Sequence, residues 1–155
     1  PYSVTALDIS EKALELARRN SEHIVGEGKI SFVSGSILDE KSVTGLLHSF
    51  DVIVSNPPYI SDQEFELLPK EVKDHEPELA LRAADNGLVF YKHIARTAIS
   101  FFRSNLTKKH VIFEVGYNQA DDVKKILAEQ RFDTKVFKDY HQVDRVVCGC
   151  LIEQN

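Results

Sequence analysis

Short apolar segments alternate with amphipathic segments of helical period along most of this 155-residue chain, and this alternation restricts the fold more than any other feature. Apolar segments of strand length are VTALDIS (4–10), KISFVSG (29–35), FDVIVS (50–55) and HVIFEVG (110–116). Segments with helical spacing follow them at EKALELARRN (11–20), DEKSVTGLLHS (39–49), NGLVFYKHIARTAISFFRSNL (86–106) and QADDVKKILAEQ (119–130). Such a chain is expected to fold as an α/β domain around a parallel, doubly wound sheet.

Two of the predicted helices carry local signals of their own. Ser10 is the expected N-cap of the first helix, in which Ala13, Leu14 and Ala17 fall at helical spacing. The long helix after residue 86 is expected to bury one apolar stripe, formed by Leu88, Tyr91, Ala95, Ala98, Ile99 and Phe102.

Two segments depart from the alternation. The polar stretch from Asp62 to Leu81 is interrupted by Pro69 and Pro77, which predicts a loop with broken helical turns. The last two strands, TKVFKD (134–139) and DRVVCGCLIE (144–153), follow each other without a helix between them. They are expected to form an antiparallel, hairpin-like finish at one edge of the sheet.

Composition and charge argue against several classes of function. The formal net charge is −5, so no basic field invites nucleic acid. The longest apolar runs are too short to span a bilayer, and no secretion signal opens the chain, so we expect a cytoplasmic protein, or one of an organelle matrix if it is eukaryotic. Cys148 and Cys150 share one face of a strand. They are expected to be buried free thiols and not metal ligands.

Three polar residues fall where predicted strands end, which is where open α/β sheets bind their ligands. Asp8 closes the first strand, Asn56 follows the third, and Glu114 lies near the end of the fourth. Asp8 has the position of an acid that binds ribose hydroxyls, and it is equally suited to cap the helix that follows. Glu114 is expected to support the site by pairing with a backbone group.

The corner after the third strand, Asn56-Pro57-Pro58-Tyr59, has an unusual hydrogen-bonding character. Neither proline has a backbone N–H, so the corner is stiff and presents acceptors, the Asn56 side-chain oxygen and the Pro57 carbonyl. A planar NH₂ group needs two acceptors, and holding both of its hydrogens aligns its poorly nucleophilic nitrogen with an electrophile. Tyr59 could pack on such a flat group. A plain Pro-Pro turn would explain neither the asparagine nor the tyrosine.

Several segments resemble one known family. SNPPY (55–59) after a strand is similar to the signature of amino-group methyltransferases that use S-adenosylmethionine, and the antiparallel edge matches their Rossmann-like class I sheet. Four further segments resemble the HemK-type release factor glutamine methyltransferases in order and spacing: VTALDISEKALELARRN, HEPELAL followed by DNGLVFYKHI, FEVGYNQADDV, and DRVV.

This resemblance implies a reaction and a set of site residues. The reaction is methylation of the glutamine side chain in the Gly-Gly-Gln loop of class-1 peptide chain release factors, with S-adenosyl-L-methionine as cofactor. Asn56 and the Pro57 carbonyl would hold the amide, while Pro58 and Tyr59 would shape its slot, with Asn56 also next to the cofactor. The matching cofactor positions are Asp8 for the ribose, and Ser36 and Ile37 near the adenine. No metal is implied.

The resemblance also implies that parts of the family's catalytic machinery are not in this chain. In the family, the strand and Gly-rich loop that hold the methionine part of the cofactor come just before the position of Pro1. Residues 1–155 are therefore expected to be a partial methyltransferase catalytic domain, without the first strand, the Gly-rich loop and the N-terminal helical domain. Such a chain is expected to be inactive when produced alone.

Two other functions stay open on the sequence. The Asn-Pro-Pro-Tyr corner does not distinguish a glutamine amide from an adenine amine, so a nucleic-acid amino methyltransferase is one alternative. The acidic balance of the chain argues against it. The other alternative is a non-catalytic remnant that binds a partner through an exposed sheet edge.

Overall fold

The computed structural model describes residues 3–105 and 108–152 of the chain. The chain divides into two units, residues 1–46 and residues 47–155. The elements of the first unit are β1 (Val4–Asp8), α1 (Glu11–Ile24), β2 (Ile30–Ser34), α2 (Glu40–Val43) and a 3₁₀ turn (Thr44–Leu46). The elements of the second unit are β3 (Val52–Ser55), α3 (Asp62–Leu67), α4 (Lys70–His75), α5 (Glu78–Leu81), α6 (Val89–Phe101), β4 (His110–Glu114), α7 (Ala120–Glu129), β5 (Phe132–Lys138) and β6 (Asp144–Leu151).

The first unit is a β1–α1–β2 unit with a parallel strand pair. β1 and β2 run in register from Val4 opposite Ile30 to Asp8 opposite Ser34. The predicted helix start is confirmed, because the Ser10 side chain accepts a hydrogen bond from the Ala13 N–H and caps α1.

The second unit contains a four-stranded sheet in the order β3-β4-β6-β5. β3 and β4 are parallel, with Ser55 opposite Phe113, whereas β6 is antiparallel to both β4 and β5. The expected hairpin-like finish is therefore confirmed, and its second strand lies inside the sheet while β5 forms the edge.

The core of the second unit lies between this sheet and its two long helices. α7 packs against β5 and β6, and α6 packs against α7 and β4. The side chains of Val111 and Phe113 on β4, Tyr91 on α6, and Val123 and Leu127 on α7 are fully buried. Burial of side chains of this size supplies most of the driving force for forming the unit.

Burial along α6 confirms part of the predicted stripe. Tyr91, Ala95 and Ala98 are fully buried, but Ile99 is 42% exposed and Ile94 is buried in its place. The expectation for Ile99 was wrong because, at 3.6 residues per turn, it lies about 80° around the helix axis from Tyr91, at the margin of the buried face.

Three other expectations are refined by the structure. The apolar segment FDVIVS forms the strand β3 as predicted, but β3 is an edge strand of its sheet and Val54 is 72% exposed. The segment from Asp62 to Leu81 forms three short helices, α3 to α5, separated at Pro69 and Pro77 as the prolines predict. Cys148 and Cys150 are free thiols but half-buried, not buried, on one side of β6.

No helix within residues 3–105 and 108–152 combines the length and the apolar character needed to cross a membrane.

Replacing Tyr91 with phenylalanine should destabilise the second unit. The Tyr91 hydroxyl donates a hydrogen bond to the Glu114 carbonyl oxygen at 2.9 Å, and the tyrosine is completely buried. Losing this donor leaves a carbonyl without its partner, so the free energy of unfolding should fall by about 1–3 kcal/mol. Chemical denaturation of the natural full-length protein measures the change. Tyr140→Phe, at a fully exposed tyrosine, is the matched control and should have no effect; equal stability of the two variants would contradict the expectation.

Candidate functional site

The Asn-Pro-Pro-Tyr corner lies at the carboxyl edge of the four-stranded sheet. It follows Ser55, the last residue of β3, and Ser55 lies opposite Phe113, one residue before the end of β4. Glu114, the last residue of β4, is therefore at the same edge. Within the corner, Asn56 is exposed and Pro57 is buried, so the asparagine side chain is the part that solvent or a ligand reaches first.

The chain leaving the corner is held by the segment around α5. The Ile60 N–H donates to the Leu81 carbonyl oxygen at 2.9 Å, and the Ala83 N–H donates back to the Ile60 carbonyl oxygen at 2.8 Å. Ser61 then caps α3 through a reciprocal pair of hydrogen bonds with Glu64. The HEPELAL segment thus fixes the exit of the corner through backbone pairing.

Two acidic side chains on either side of this pairing share one guanidinium. Arg82 Nε contacts Asp62 Oδ1 and its Nη1 contacts Glu78 Oε1, each at 2.6 Å. These bonds raise the pKa of Arg82 above its already high usual value, first through Asp62 and then through Glu78. The pair of contacts connects the starts of α3 and α5.

The side-chain amide of Gln119 bridges the corner and the end of β4. Gln119 Nε2 donates to the Tyr59 carbonyl oxygen at 3.0 Å, and Gln119 Oε1 accepts from the Gly116 N–H at 3.0 Å. Gln119 itself is half-buried and is the N-cap of α7.

Two glycines allow the close approach of Tyr59. A Cβ at Gly116 would lie 2.7 Å from Cδ2 of the Tyr59 ring, and a Cβ at Gly87 would lie 2.0 Å from the Tyr59 carbonyl oxygen. Gly87 also has φ +81°, a left-handed conformation that glycine adopts without the Cβ penalty. Neither position accepts a larger residue without displacing the tyrosine.

The turn that carries Gly87 is held at both ends. Asp85, Asn86 and Gly87 all have positive φ, and the Gly87 N–H donates to the Ala83 carbonyl oxygen at 3.2 Å. Lys92 pairs with Asp85 at 2.6 Å, which connects the turn to the first part of α6.

Glu114 is held through its backbone, which accepts the hydrogen bond from Tyr91. Burial, and after it the nearby Tyr59 and Glu114, raise the pKa of Tyr91 well above its usual value, so its hydroxyl remains a donor at neutral pH. Beyond Glu114, Arg145 of β6 donates from Nη1 to the Val115 carbonyl oxygen at 3.2 Å. The end of β4 is thereby fixed from both α6 and β6.

The remaining predicted site residues lie in the first unit, at the carboxyl end of its strand pair. Asp8 Oδ1 accepts from the Ser10 N–H at 2.8 Å, and the Asp8 carbonyl oxygen accepts from the Gly35 N–H at 3.0 Å. Ser36 Oγ accepts from the Leu38 N–H at 3.2 Å, and Ile37 is half-buried. Asp8 therefore supports the start of α1, and its ribose-binding role stays a prediction.

The structure brings together four segments that are far apart in sequence. Asn56 to Tyr59, the residues around Leu81, the turn at Gly87, and the stretch from Glu114 to Gln119 meet at one edge of the second unit. Gly87, Gly116 and Gln119 lie in segments that resemble the family, but the sequence did not predict a role for any of them. The available signal was the pair of glycines in DNGL and EVGYNQ, each a sign of a turn or of close backbone approach.

Comparison with known proteins agrees with the resemblance. A family model described as "RMKL-like, methyltransferase domain" matches residues 1–64. The chain is 40% identical over 147 residues to the release factor glutamine methyltransferase of Fusobacterium nucleatum subsp. nucleatum, an alignment that includes 94% of this chain. The chain is a homologue of the release factor glutamine methyltransferases. A second relative of that name, from Chlorobaculum tepidum, is 38% identical over 143 residues, or 92% of this chain.

The chain spans less than half the length of these two release factor glutamine methyltransferases, 39% and 47% respectively. A solved release factor-specific protein-(glutamine-N5) methyltransferase from Alicyclobacillus acidocaldarius aligns with 97% of this chain and 80% of its own, with a TM-score of 0.53 and 21% identity. A methyltransferase from Pyrococcus furiosus aligns with 96% of this chain and 62% of its own, with a TM-score of 0.65 and 19% identity. The predicted Rossmann-like methyltransferase fold is confirmed.

Proposed function

We propose that the natural protein methylates the side-chain nitrogen of the glutamine in the Gly-Gly-Gln loop of class-1 peptide chain release factors. The observation that carries this proposal is the 40% identity with a release factor glutamine methyltransferase across nearly the whole chain. On this proposal, residues 1–155 correspond to part of a methyltransferase catalytic domain. A cytoplasmic or organelle-matrix location would follow, because release factors act on ribosomes.

Asn56 and Pro57 would hold the substrate amide. The Asn56 side chain is exposed at the corner, and the Pro57 carbonyl lies in a stretch where two successive residues have no N–H. Each acceptor would take one amide hydrogen, which orients the nitrogen and stabilises the positive charge that develops on it during transfer. Pro58 and Tyr59, both half-buried, would form the sides of the slot.

S-adenosylmethionine would supply a methyl group activated by the positive charge on its sulfur. The residues of the first unit fit its adenosine part by their chemistry. Asp8 uses one carboxylate oxygen for the Ser10 N–H, and a carboxylate has capacity for further donors such as ribose hydroxyls. The Ser36 hydroxyl accepts one hydrogen bond and has a proton to donate, while Ile37 offers apolar surface for a base.

A methyl-transfer assay tests the proposal. The natural full-length protein is incubated with S-adenosylmethionine and either an intact class-1 release factor, a Gly-Gly-Gln peptide, or DNA and RNA oligonucleotides. Mass spectrometry should find one methyl group on the glutamine of the release factor and none on a variant with alanine at that position. Methylation of the oligonucleotides alone would replace the proposal with the nucleic-acid alternative, and transfer to no substrate would favour the non-catalytic one.

Asp8→Ala should weaken cofactor binding more than it lowers the maximal rate. If Asp8 binds the ribose, the variant loses a hydrogen bond to a charged group, so the cofactor Kd should rise about tenfold or more. Much of the lost rate should return at saturating cofactor. Calorimetric titration gives the Kd, and steady-state kinetics gives the rate.

The control for this prediction is Ser10→Ala, because Asp8 also supports the start of α1 through the Ser10 N–H. Ser10→Ala removes the N-cap while leaving the Asp8 carboxylate in place. A cofactor Kd equally raised in both variants would show that Asp8 acts only through the helix.

A further inference from the structure

We propose that Gln119 is a positioning residue for methyl transfer, holding the amide-binding corner in place through the Tyr59 carbonyl and the Gly116 N–H. This inference rests on the proposed function and adds a residue that acts on the reaction through the corner. No other side chain within residues 3–105 and 108–152 is seen to bridge the corner and the end of β4 through both a donor and an acceptor.

The chemistry of the bridge requires a side-chain amide. Nε2 donates to the Tyr59 carbonyl oxygen while Oε1 accepts from the Gly116 N–H, both at 3.0 Å. A primary amide offers a donor and an acceptor on one rigid plane, whereas an ionised carboxylate has acceptors only. Glutamate at this position would retain the Gly116 contact and place two acceptors against each other at Tyr59.

The bridge acts on the corner through a stiff connection. Between the Tyr59 carbonyl and Asn56 lie Pro57 and Pro58, whose rings fix φ near −65°. Few backbone torsions are then left between the held carbonyl and the two proposed amide acceptors. Fixing Tyr59 therefore restricts the direction of the Pro57 carbonyl and of the Asn56 side chain.

The other end of the bridge is anchored in the core. Gln119 is the N-cap of α7, and its carbonyl oxygen accepts from the Val123 N–H at 3.0 Å. Val123 and Leu127 of the same helix are fully buried. A site residue held by a packed helix is positioned more accurately than one on a loop.

Gln119→Glu in the natural full-length protein is the decisive variant. We expect kcat for methyl transfer to fall about tenfold, because one hydrogen bond is replaced by repulsion between two acceptors. The KM for S-adenosylmethionine should stay at the wild-type value, while the Tm should fall by a few degrees, as the loss of one hydrogen bond to a carbonyl predicts. Helix formation is not impaired, because a negative charge at the N-terminus of α7 is favourable.

The pH profile of the Gln119→Glu variant distinguishes positioning from a general structural role. The introduced carboxyl group, when protonated, could donate its O–H to the Tyr59 carbonyl and restore the bridge. The ratio of variant to wild-type kcat should therefore rise as pH falls toward the pKa of this introduced carboxyl, and fall as pH rises above it. A constant ratio across the pH range would count against the bridge.

Two further measurements complete the test. Gln130→Glu, at the other end of α7 and also half-buried, is the matched control and should retain wild-type kcat. In Gln119→Ala the amide of Gly116 should exchange its hydrogen faster while that of Val123 is unchanged. Wild-type kcat in Gln119→Glu, or unchanged exchange at Gly116, would overturn the inference. A wild-type protein that methylates no substrate would overturn the proposed function, and the exchange at Gly116 would still show whether Gln119 forms its bond at the end of β4.

Discussion

Asn56→Ala in the natural full-length protein should lower kcat for methyl transfer to a release factor by about 100- to 1000-fold, the range seen when one preorganised transition-state contact is removed. The variant loses an acceptor proposed to hold the reacting amide. Its fold should persist, because Asn56 is exposed and β3 ends one residue before it. Single-turnover kinetics with saturating cofactor and release factor measures the loss.

Two companion variants show whether the Asn56 oxygen is the group that matters. Asn56→Asp retains an acceptor oxygen and should keep more activity than Asn56→Ala. Asn20→Ala, at an exposed position on α1, should leave the rate unchanged. Near-normal turnover of Asn56→Ala would refute the assignment of the corner as the amide-binding site.

Gly87→Ala should damage both stability and activity. A methyl group at this position would lie 2.0 Å from the Tyr59 carbonyl oxygen and 2.7 Å from Gln119 Nε2, and alanine at φ +81° is strained. The strain and the overpacking together should reduce the free energy of unfolding by about 2–5 kcal/mol. A displacement of the corner by about 1 Å should also lower kcat on the order of 100-fold.

Gly28→Ala separates the effect of backbone strain from the effect of the close contact with Tyr59. Gly28 has φ +69°, so alanine meets the same backbone strain there, but nothing lies within 4 Å of its Cβ position. The free energy of unfolding of this control should fall by only about 1–2 kcal/mol. Its methyl-transfer rate should equal that of the wild type. If the two glycine variants lose equal stability, the close contact with Tyr59 does not determine the effect. Thermal and chemical unfolding measure the stability of both variants, and the methyl-transfer rate measures their activity.

The alternation of short apolar and amphipathic segments was enough to predict most of the strands and long helices. The two parallel pairs, β1 with β2 and β3 with β4, agree with the prediction of parallel strands, since helical segments lie between the strands of each pair. Local chemistry was equally readable: Ser10 caps α1, and Pro69 and Pro77 separate short helices. These features depend on neighbouring residues, whose preferences the sequence displays directly.

Features that depend on distant partners could not be predicted in the same way. Whether Val54 is buried depends on which strand, if any, lies beside β3. The pattern of apolar residues along a strand does not show which strands are its neighbours in the sheet. Phe102 is buried as predicted, but it lies past the end of α6, where its backbone bridges to Phe50, so its burial does not come from the helical stripe. The side chain of Gln119 donates a hydrogen bond to a partner 60 residues away. Each was settled by tertiary packing, which overrides local pattern.

The position of β6 between β4 and β5 has a consequence for the order of events during synthesis. Arg145 of β6 holds the Glu114 end of β4 by donating a hydrogen bond to the Val115 carbonyl oxygen. The two partners, Val115 and Arg145, are 30 residues apart in the sequence. Contacts of such long range form late, because the loop between them must close first. While the ribosome still holds β6, the emerging chain lacks the strand that flanks β4 on the side opposite β3. Until β6 has left the exit tunnel, a nascent chain therefore lacks the contacts that hold the Glu114 end of β4, beside the corner proposed to bind the amide.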